Sequence, residues 1–219
     1  LAYKAVLFDL DGTLLDTLAD LADSMNRVLA RAGFPVHPVD AYRYFVGDGL
    51  ATLVKRVLPE DCCDDETQRR CLAEMQSEYG QHWAVKTGPY AGVVDMIDGL
   101  ASRGLPMAVL SNKPHDWTVE MTDYYFPQRP FSIVFGQRPS VPKKPDPSGA
   151  LEIAERLRFA PADILYLGDT NTDMQTATGA GMAAIGVLWG FRPAGELLSS
   201  GAQRLIGHPS EIFQVIDER

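Results

Sequence analysis

The chain has 219 residues, 46% of them hydrophobic and 22% charged, which suffices to bury a full core in one large domain or in a domain with a sizeable insertion. Its 29 Asp and Glu outnumber 20 Lys and Arg, giving a formal net charge of -9, and no basic run is long enough to track a phosphate backbone, so nucleic-acid and anionic-membrane partners are disfavoured. No stretch approaches the ~20 apolar residues of a membrane span, and the first residues lack the basic-then-apolar form of a secretory leader, so the expectation is a cytoplasmic protein.

The first predicted strand, "KAVLF" at 4 to 8, runs straight into Asp9, Leu10, Asp11, Gly12 and Thr13. From Thr17 to about Trp83 the pattern is helical throughout. Leu18, Leu21, Ala22, Met25, Val28, Leu29 and Ala32 form an apolar stripe opened by a Thr17/Asp20 capping pair and ended by Gly33 and Pro35. Two more helices are expected near 50 to 58 and 64 to 84. The "VGDGL" at 46 to 50 lacks the third glycine of a dinucleotide fingerprint and reads as a helix-start turn, or as backbone N–H groups at Gly47 and Gly49 offered to a substrate carboxylate with Arg43 as countercharge. Cys62, Cys63 and Cys71 are odd in number and match no spaced zinc pattern, which suits a reducing compartment.

Further strands are predicted at 105 to 110, 132 to 135, 163 to 167 and 182 to 187, with a weaker one at 203 to 206. Most are continuous apolar runs, as a parallel sheet covered on both faces requires. Helical patterns separate them, for example Val93, Val94, Ile97, Leu100 and Ala101 before Gly104. The fold class is therefore α/β, a doubly wound (Rossmann-like) parallel sheet core with an inserted α-helical subdomain. Roughly 65 helical residues exceed an ordinary crossover of ~10 to 30, so the expected domains are 1–15 with 85–219 as the core and 16–84 as the insertion. His37, His82, His115 and His208 share no ligand spacing, and Trp117, Tyr124 and Tyr125 read as packing. Arg192 fits either a site rim or the surface.

In a doubly wound sheet, functional groups gather at the carboxyl ends of the strands. There the sequence carries Asp9 and Asp11, then Ser111 and Asn112, then Asp169 and Asp173 of "GDTNTD", with Lys144 in "KKPDPSGAL". Four converging carboxylates repel one another, and a divalent cation resolves the repulsion. Oxygen-only ligands point to Mg²⁺. The cation with Lys144, Ser111 and Asn112 would cradle a phosphoryl group. One carboxylate can then attack phosphorus to form an aspartyl-phosphate, while a second, two residues along, serves as acid and base. Asp9 and Asp11 have that spacing. Each Asp can also cap a turn or helix start, and Lys143 reads as a solvated lysine beside Lys144.

"DLDGT", "VLSN", "KPDP" and "LGDTNTD", in that order, resemble the four motifs of the haloacid dehalogenase superfamily of phosphohydrolases over essentially the whole chain. The resemblance implies Asp9 as nucleophile and Mg²⁺ ligand, and Asp11 as general acid and base with its carbonyl on the metal. It implies Asp169 as a direct ligand, Asp173 as an outer carboxylate, Ser111 and Lys144 on the phosphoryl group, and the insertion as a mobile cap. Asp11 argues against dehalogenases and transport ATPases, which lack it, and Thr13 leans away from mutases, which often carry Val there. "YRYFVGDGLATLVKRVLP", "LSNKP" and "GVLWGFRPAGEL" resemble phosphoglycolate phosphatases. The expected partner is a small phosphorylated metabolite, best 2-phosphoglycolate, acted on by a monomer or homodimer. A phosphosugar mutase of the beta-phosphoglucomutase kind, a pyrophosphatase and a non-catalytic phosphate or metal binder are the alternatives.

Overall fold

Four apolar residues in succession, Ala5–Phe8, leave a strand no face to offer water, so it must lie between covering layers. In the computed structural model, which describes residues 3–128 and 131–218, this segment is fully buried as β1. The chain continues through β2 (Leu15–Asp16), α1 (Leu18–Arg31), α2 (Tyr42–Phe45), α3 (Leu50–Val57), α4 (Asp65–His82) and β3 (Gly88–Pro89). It then alternates: α5 (Val93–Ser102), β4 (Met107–Pro114), α6 (His115–Tyr125), β5 (Phe131–Gln137), α7 (Ser148–Leu157), β6 (Ile164–Gly168), α8 (Asn171–Ala180), β7 (Ala183–Val187), α9 (Ala194–Ser199), β8 (Arg204–Ile206) and α10 (Ile212–Asp217). Packing divides it into two units, Leu1–Leu15 with Pro89–Arg219, and Asp16–Gly88.

The first unit is a six-stranded parallel sheet in the order β5-β4-β1-β6-β7-β8. Leu7 of β1 pairs with Ala108 on one side and Tyr166 on the other. Alternate residues Ala5, Leu7, Ala108, Leu110, Ile164 and Tyr166 are buried with Ala150, Ile153 and Ala154 of α7 and Met174 and Ala177 of α8 in one core. Strand order reverses about β1, with β4 and β6 beside it, and this switch point opens a crevice outside the carboxyl ends of the strands.

β4 runs on through Ser111, Asn112 and Lys113 to Pro114, past the Leu110 limit that its apolar run suggests. Its pairing with β5 shifts register between Leu110 and Pro114. Polar residues here extend the strand through an irregularity that re-aims side chains, a device common next to active sites. Tyr124 and Tyr125 meet edge to face, but Tyr124 is 63% exposed, so that pair is not buried packing.

The second unit is helical. Leu18, Leu21, Ala22, Met25, Val28 and Leu29 of α1 are buried, and Arg27 and Arg31 grip Glu78 of α4 at 3.0 Å and 2.8 Å. The short α2, which has no periodicity to announce it, is fixed by buried Tyr42, whose hydroxyl donates to Asn26 Oδ1 at 2.8 Å.

The expected Thr17/Asp20 capping pair does not form. Thr17 makes no side-chain cap bond and its Oγ1 is buried without a hydrogen-bond partner. The Asp20 carboxylate turns instead to the return segment, accepting from the backbone N–H groups of Lys86 and Thr87 and from Thr87 Oγ1, each at 2.8 Å to its Oδ2. Three donors on one buried carboxylate outcompete a single N-terminal N–H, and they carry the helical unit on to Gly88 rather than Ala84.

Asp20→Ala leaves these donors without their acceptor and should destabilise the protein by roughly 3 kcal/mol, with Asp20→Asn between the two. Urea unfolding followed by circular dichroism measures the difference.

Candidate active site

The predicted core residues of the site lie in the first unit, just beyond β1 and β6, in the polar extension of β4, in the first turn of α8 and in the loop between β5 and α7. Asp9 follows β1, and its N–H bonds Leu167 O at 3.0 Å, so the ladder with β6 holds its backbone. Asp169 follows β6, and Asp173 sits in the first turn of α8. Thr170 caps that helix in a reciprocal box: Asp173 Oδ2 accepts from Thr170 N and Oγ1 at 3.1 Å and 2.6 Å. Carboxylate oxygens of Asp9, Asp169 and Asp173 all lie within 4.8 Å of one another, and all three residues are buried.

One ammonium enters this cluster. Lys144 is 4% exposed, while Lys143 beside it faces solvent, which decides between the two lysines. Its Nζ donates to Asp9 Oδ1 at 2.8 Å, to Asp173 Oδ1 at 2.6 Å and to Leu110 O at 3.0 Å. All three of its protons are therefore engaged, and a contact with a phosphoryl oxygen must exchange one of them. Tyr166 adds its hydroxyl to Asp173 Oδ1 at 3.3 Å.

Burial, with Asp173 next, pushes the Asp9 carboxyl well above the usual range, against the pull of Lys144. Burial and Asp173 likewise raise Asp169 to about 7, against its hydrogen bonds from Phe191 and Thr13. Burial alone would depress Lys144, but Asp173 and Asp9 outweigh it and hold the ammonium charged. Three carboxylates against one ammonium leave two negative charges in excess when all are ionised. An all-oxygen set with that surplus fits a hard divalent cation, which Asp9, Asp169 and Asp173 could hold.

Close backbone approach makes the cluster compact. Gly12, at φ +88°, lies where a Cβ would stand 2.3 Å from Asp169 Oδ2, and a Cβ at Gly190 would stand 2.2 Å from Asp169 Cβ. The loop after β7 straps the site: Phe191 N donates to Asp169 Oδ2 at 2.8 Å, and Trp189 Nε1 donates to Thr13 O at 3.0 Å. Thr13 Oγ1 donates to Asp169 Oδ1 at 2.9 Å. Arg192 is buried and paired with Glu196 at 3.1 Å, so it is not a solvated surface arginine.

Asn112, expected on a substrate, also serves Lys144. Its Nδ2 donates to Lys144 O at 3.0 Å and its Oδ1 accepts from Lys144 N at 2.9 Å, a two-point clamp on the backbone that carries the ammonium. Ser111 Oγ accepts from Lys113 N at 3.1 Å, which leaves the hydroxyl proton available to a phosphoryl oxygen. Asp11 is separate from the three-carboxylate cluster and pairs with Lys113, Nζ to Oδ1, at 2.9 Å. Spacing pointed to neither Thr13 nor Lys113 as a partner of these carboxylates. Both stand inside the quoted motifs, yet only the fold shows which aspartate each one meets.

Arg43, Gly47 and Gly49 belong to the helical unit. Arg43 Nε lies 3.8 Å from Asp40. Gly47 and Gly49 have φ +110° and +84°, and Gly49 is the N-cap of α3. Arg56 braces this turn through Asp48 Oδ2 at 2.5 Å and Phe45 O at 3.1 Å.

A family model for haloacid dehalogenase-like hydrolases matches residues 6–187, which takes in every one of these strand-end residues. The chain belongs to that family. As a haloacid dehalogenase-like hydrolase it is similar over nearly its whole length to curated phosphoglycolate phosphatases. One, from Thiobacillus denitrificans, is 34% identical over 90% of this chain and 89% of its own length, and one from Nitrosospira multiformis is 31% identical over 100% and 97%. A solved structure of a candidate phosphoglycolate phosphatase from Lactobacillus delbrueckii subsp. bulgaricus superposes with a TM-score of 0.93 at 29% identity, covering 99% of each chain. The hydrolase is therefore phosphoglycolate-phosphatase-like, and among its described residues no helix is long and apolar enough to cross a membrane.

Because Asn112 acts through Lys144, Asn112→Ala in this hydrolase strands a buried N–H and C=O and should cost about 2 kcal/mol. Denaturant midpoints for Asn112→Ala and Ser111→Ala separate the two neighbours. Ser111→Ala, whose hydroxyl accepts one backbone bond, should lose no more than about half as much.

Proposed function

We propose that this hydrolase is a Mg²⁺-dependent phosphomonoesterase that works through an aspartyl-phosphate, with 2-phosphoglycolate as its substrate. The observation that carries the reading is the buried Asp9 at the end of β1, salt-bridged to Lys144 inside a three-carboxylate cluster, with Asp11 two residues along and outside that cluster. Two carboxylates so close in sequence and so different in surroundings suit two different tasks.

In the proposed reaction an Asp9 carboxylate oxygen attacks phosphorus. The bond from phosphorus to the ester oxygen breaks, and the carboxyl proton of Asp11 passes to that leaving oxygen. Water then attacks the phosphoryl group of the acyl phosphate, gives its proton to the Asp11 carboxylate and releases inorganic phosphate, which restores both aspartates. Ser111 donates its hydroxyl to a phosphoryl oxygen, and Lys144 balances charge on Asp9 and Asp173. When bound, Mg²⁺ at Asp9, Asp169 and Asp173 supplies positive charge that draws the anionic ester toward a carboxylate-rich site.

Substrate selection in this reading belongs to the helical unit. Positive-φ glycines at Gly47 and Gly49 lead the backbone N–H groups into α3, a geometry suited to a carboxylate, with Arg43 on the preceding α2.

Purified protein should release phosphate from p-nitrophenyl phosphate and, with a higher kcat/KM, from 2-phosphoglycolate. Chelation with EDTA should abolish turnover and Mg²⁺ restore it. Asp9→Asn should lower kcat by roughly 10⁴-fold or more. Isomerised sugar phosphate without free phosphate would sink the hydrolytic reading in favour of a mutase, and phosphate binding without turnover across a metabolite panel would favour a binder. Binding to the folded state alone means that Mg²⁺ at 100 times its Kd should also stabilise the protein by ~2.7 kcal/mol, read in thermal unfolding.

A further inference from the structure

Lys113 has no place in the chemistry that motif order supplies, yet it is 6% exposed and its charge is taken out of water. Its Nζ donates to both oxygens of Asp11, at 2.9 Å and 3.2 Å, and the two side chains are 4% and 17% exposed. A pair this enclosed is not an incidental surface contact, whose worth is near zero. Leaving either charge behind without the other would be costly.

The sheet explains how the two meet. β4 lies directly beside β1, so the extension of β4 through Lys113 and the turn that follows β1 share one edge of the crevice. Lys113 stands two residues after Ser111, and its own N–H donates to Ser111 Oγ. One residue thus touches both the hydroxyl meant for the phosphoryl group and the carboxyl meant for the leaving oxygen. Lys144 cannot do this for Asp11, because its three protons go to Asp9, Asp173 and Leu110 O.

We propose that Lys113 is a positioning residue for proton transfer: its two-oxygen grip fixes the Asp11 carboxyl at the place from which it serves the ester oxygen. This deepens the phosphatase reading above and rests on it. Asp11 lies in the turn after β1, where two side-chain torsions would otherwise let the carboxyl swing. A general acid must stay within about 2.6–3.2 Å of the atom it serves, and the proton transfer it supplies is worth typically 10²–10⁴-fold. Misplacing such a group by about 1 Å can cost 10²-fold.

The need for that proton depends on the leaving group, which gives a test that a merely structural role would not satisfy. The kcat/KM of wild type, Lys113→Met, Lys113→Gln and Lys113→Arg is measured with Mg²⁺ present over a series from alkyl phosphates to p-nitrophenyl phosphate. This parameter reports the first phosphoryl transfer and not the later hydrolysis of the acyl phosphate. Lys113→Met and Lys113→Gln should lose about 100-fold on alkyl phosphates but less than about fivefold on p-nitrophenyl phosphate, whose anion leaves without a proton. Lys113→Arg, which keeps the charge and the donors, should restore most of the loss. Two neutral variants and one cationic one guard against a single substitution that fails to fold. An equal loss on every ester, or a rise in KM confined to carboxylated substrates, would overturn the assignment and leave the phosphatase reading standing. A wild type inactive on every ester would overturn both.

Discussion

A single ammonium among three buried carboxylates is the constraint around which the core unit is built. Lys144 satisfies Asp9 and Asp173 at once, while Asp169 accepts hydrogen bonds from Thr13 Oγ1 and the Phe191 N–H and feels the Lys144 charge without a direct bond to it. Such an arrangement is costly to desolvate and tolerates little slack. The molecule accordingly braces these groups from outside the cluster. Asp173 is locked by the α8 capping box, Lys144 by the Asn112 clamp, and Asp169 by a strap from the loop after β7.

The same constraint accounts for where glycine is used. A side chain at Gly12 or Gly190 would occupy the space of the Asp169 carboxylate, so packing around that one aspartate sets the backbone on both sides of it. The second carboxyl of the first motif is handled differently. Asp11 lies outside that cluster, only partly exposed, and has its own cation, which keeps its surroundings distinct from those of a neighbour two residues away. Asp9 and Asp11 are thus distinguished by which lysine each one meets.

Much of this was legible in the sequence because parallel strands are apolar on both faces and end abruptly. All six sheet strands fall on the apolar runs, and Asp9, Asp169, Asp173 and Lys144 converge as their places at strand and loop ends imply. What escaped has a common cause: it depends on pairing between segments distant in the chain. Asp20 has the right spacing for a capping box, but its preferred donors lie 66 and 67 residues away. The clamp of Asn112 on the Lys144 backbone joins residues 32 apart in the chain. Lys113 is indistinguishable from a surface lysine until β4 is seen to continue past its apolar stretch. α2 is four residues long and is held by one tyrosine, too short for any period to show.

The short strands β2 and β3 have a consequence for how the chain finds its fold. They pair with each other where the chain leaves and re-enters the sheet unit, and Asp20 ties the first helix of the insertion to its last residues. The helical unit therefore closes on itself. Pairing Phe8 with Val109 would otherwise require a loop of about 100 residues, whereas a closed insertion leaves about 30 to be gathered; at ~0.6 kcal/mol per doubling, this relieves the β1 and β4 encounter of about 1 kcal/mol of entropy. The insertion that separates the first motif from the second in sequence thus also shortens the effective distance between them.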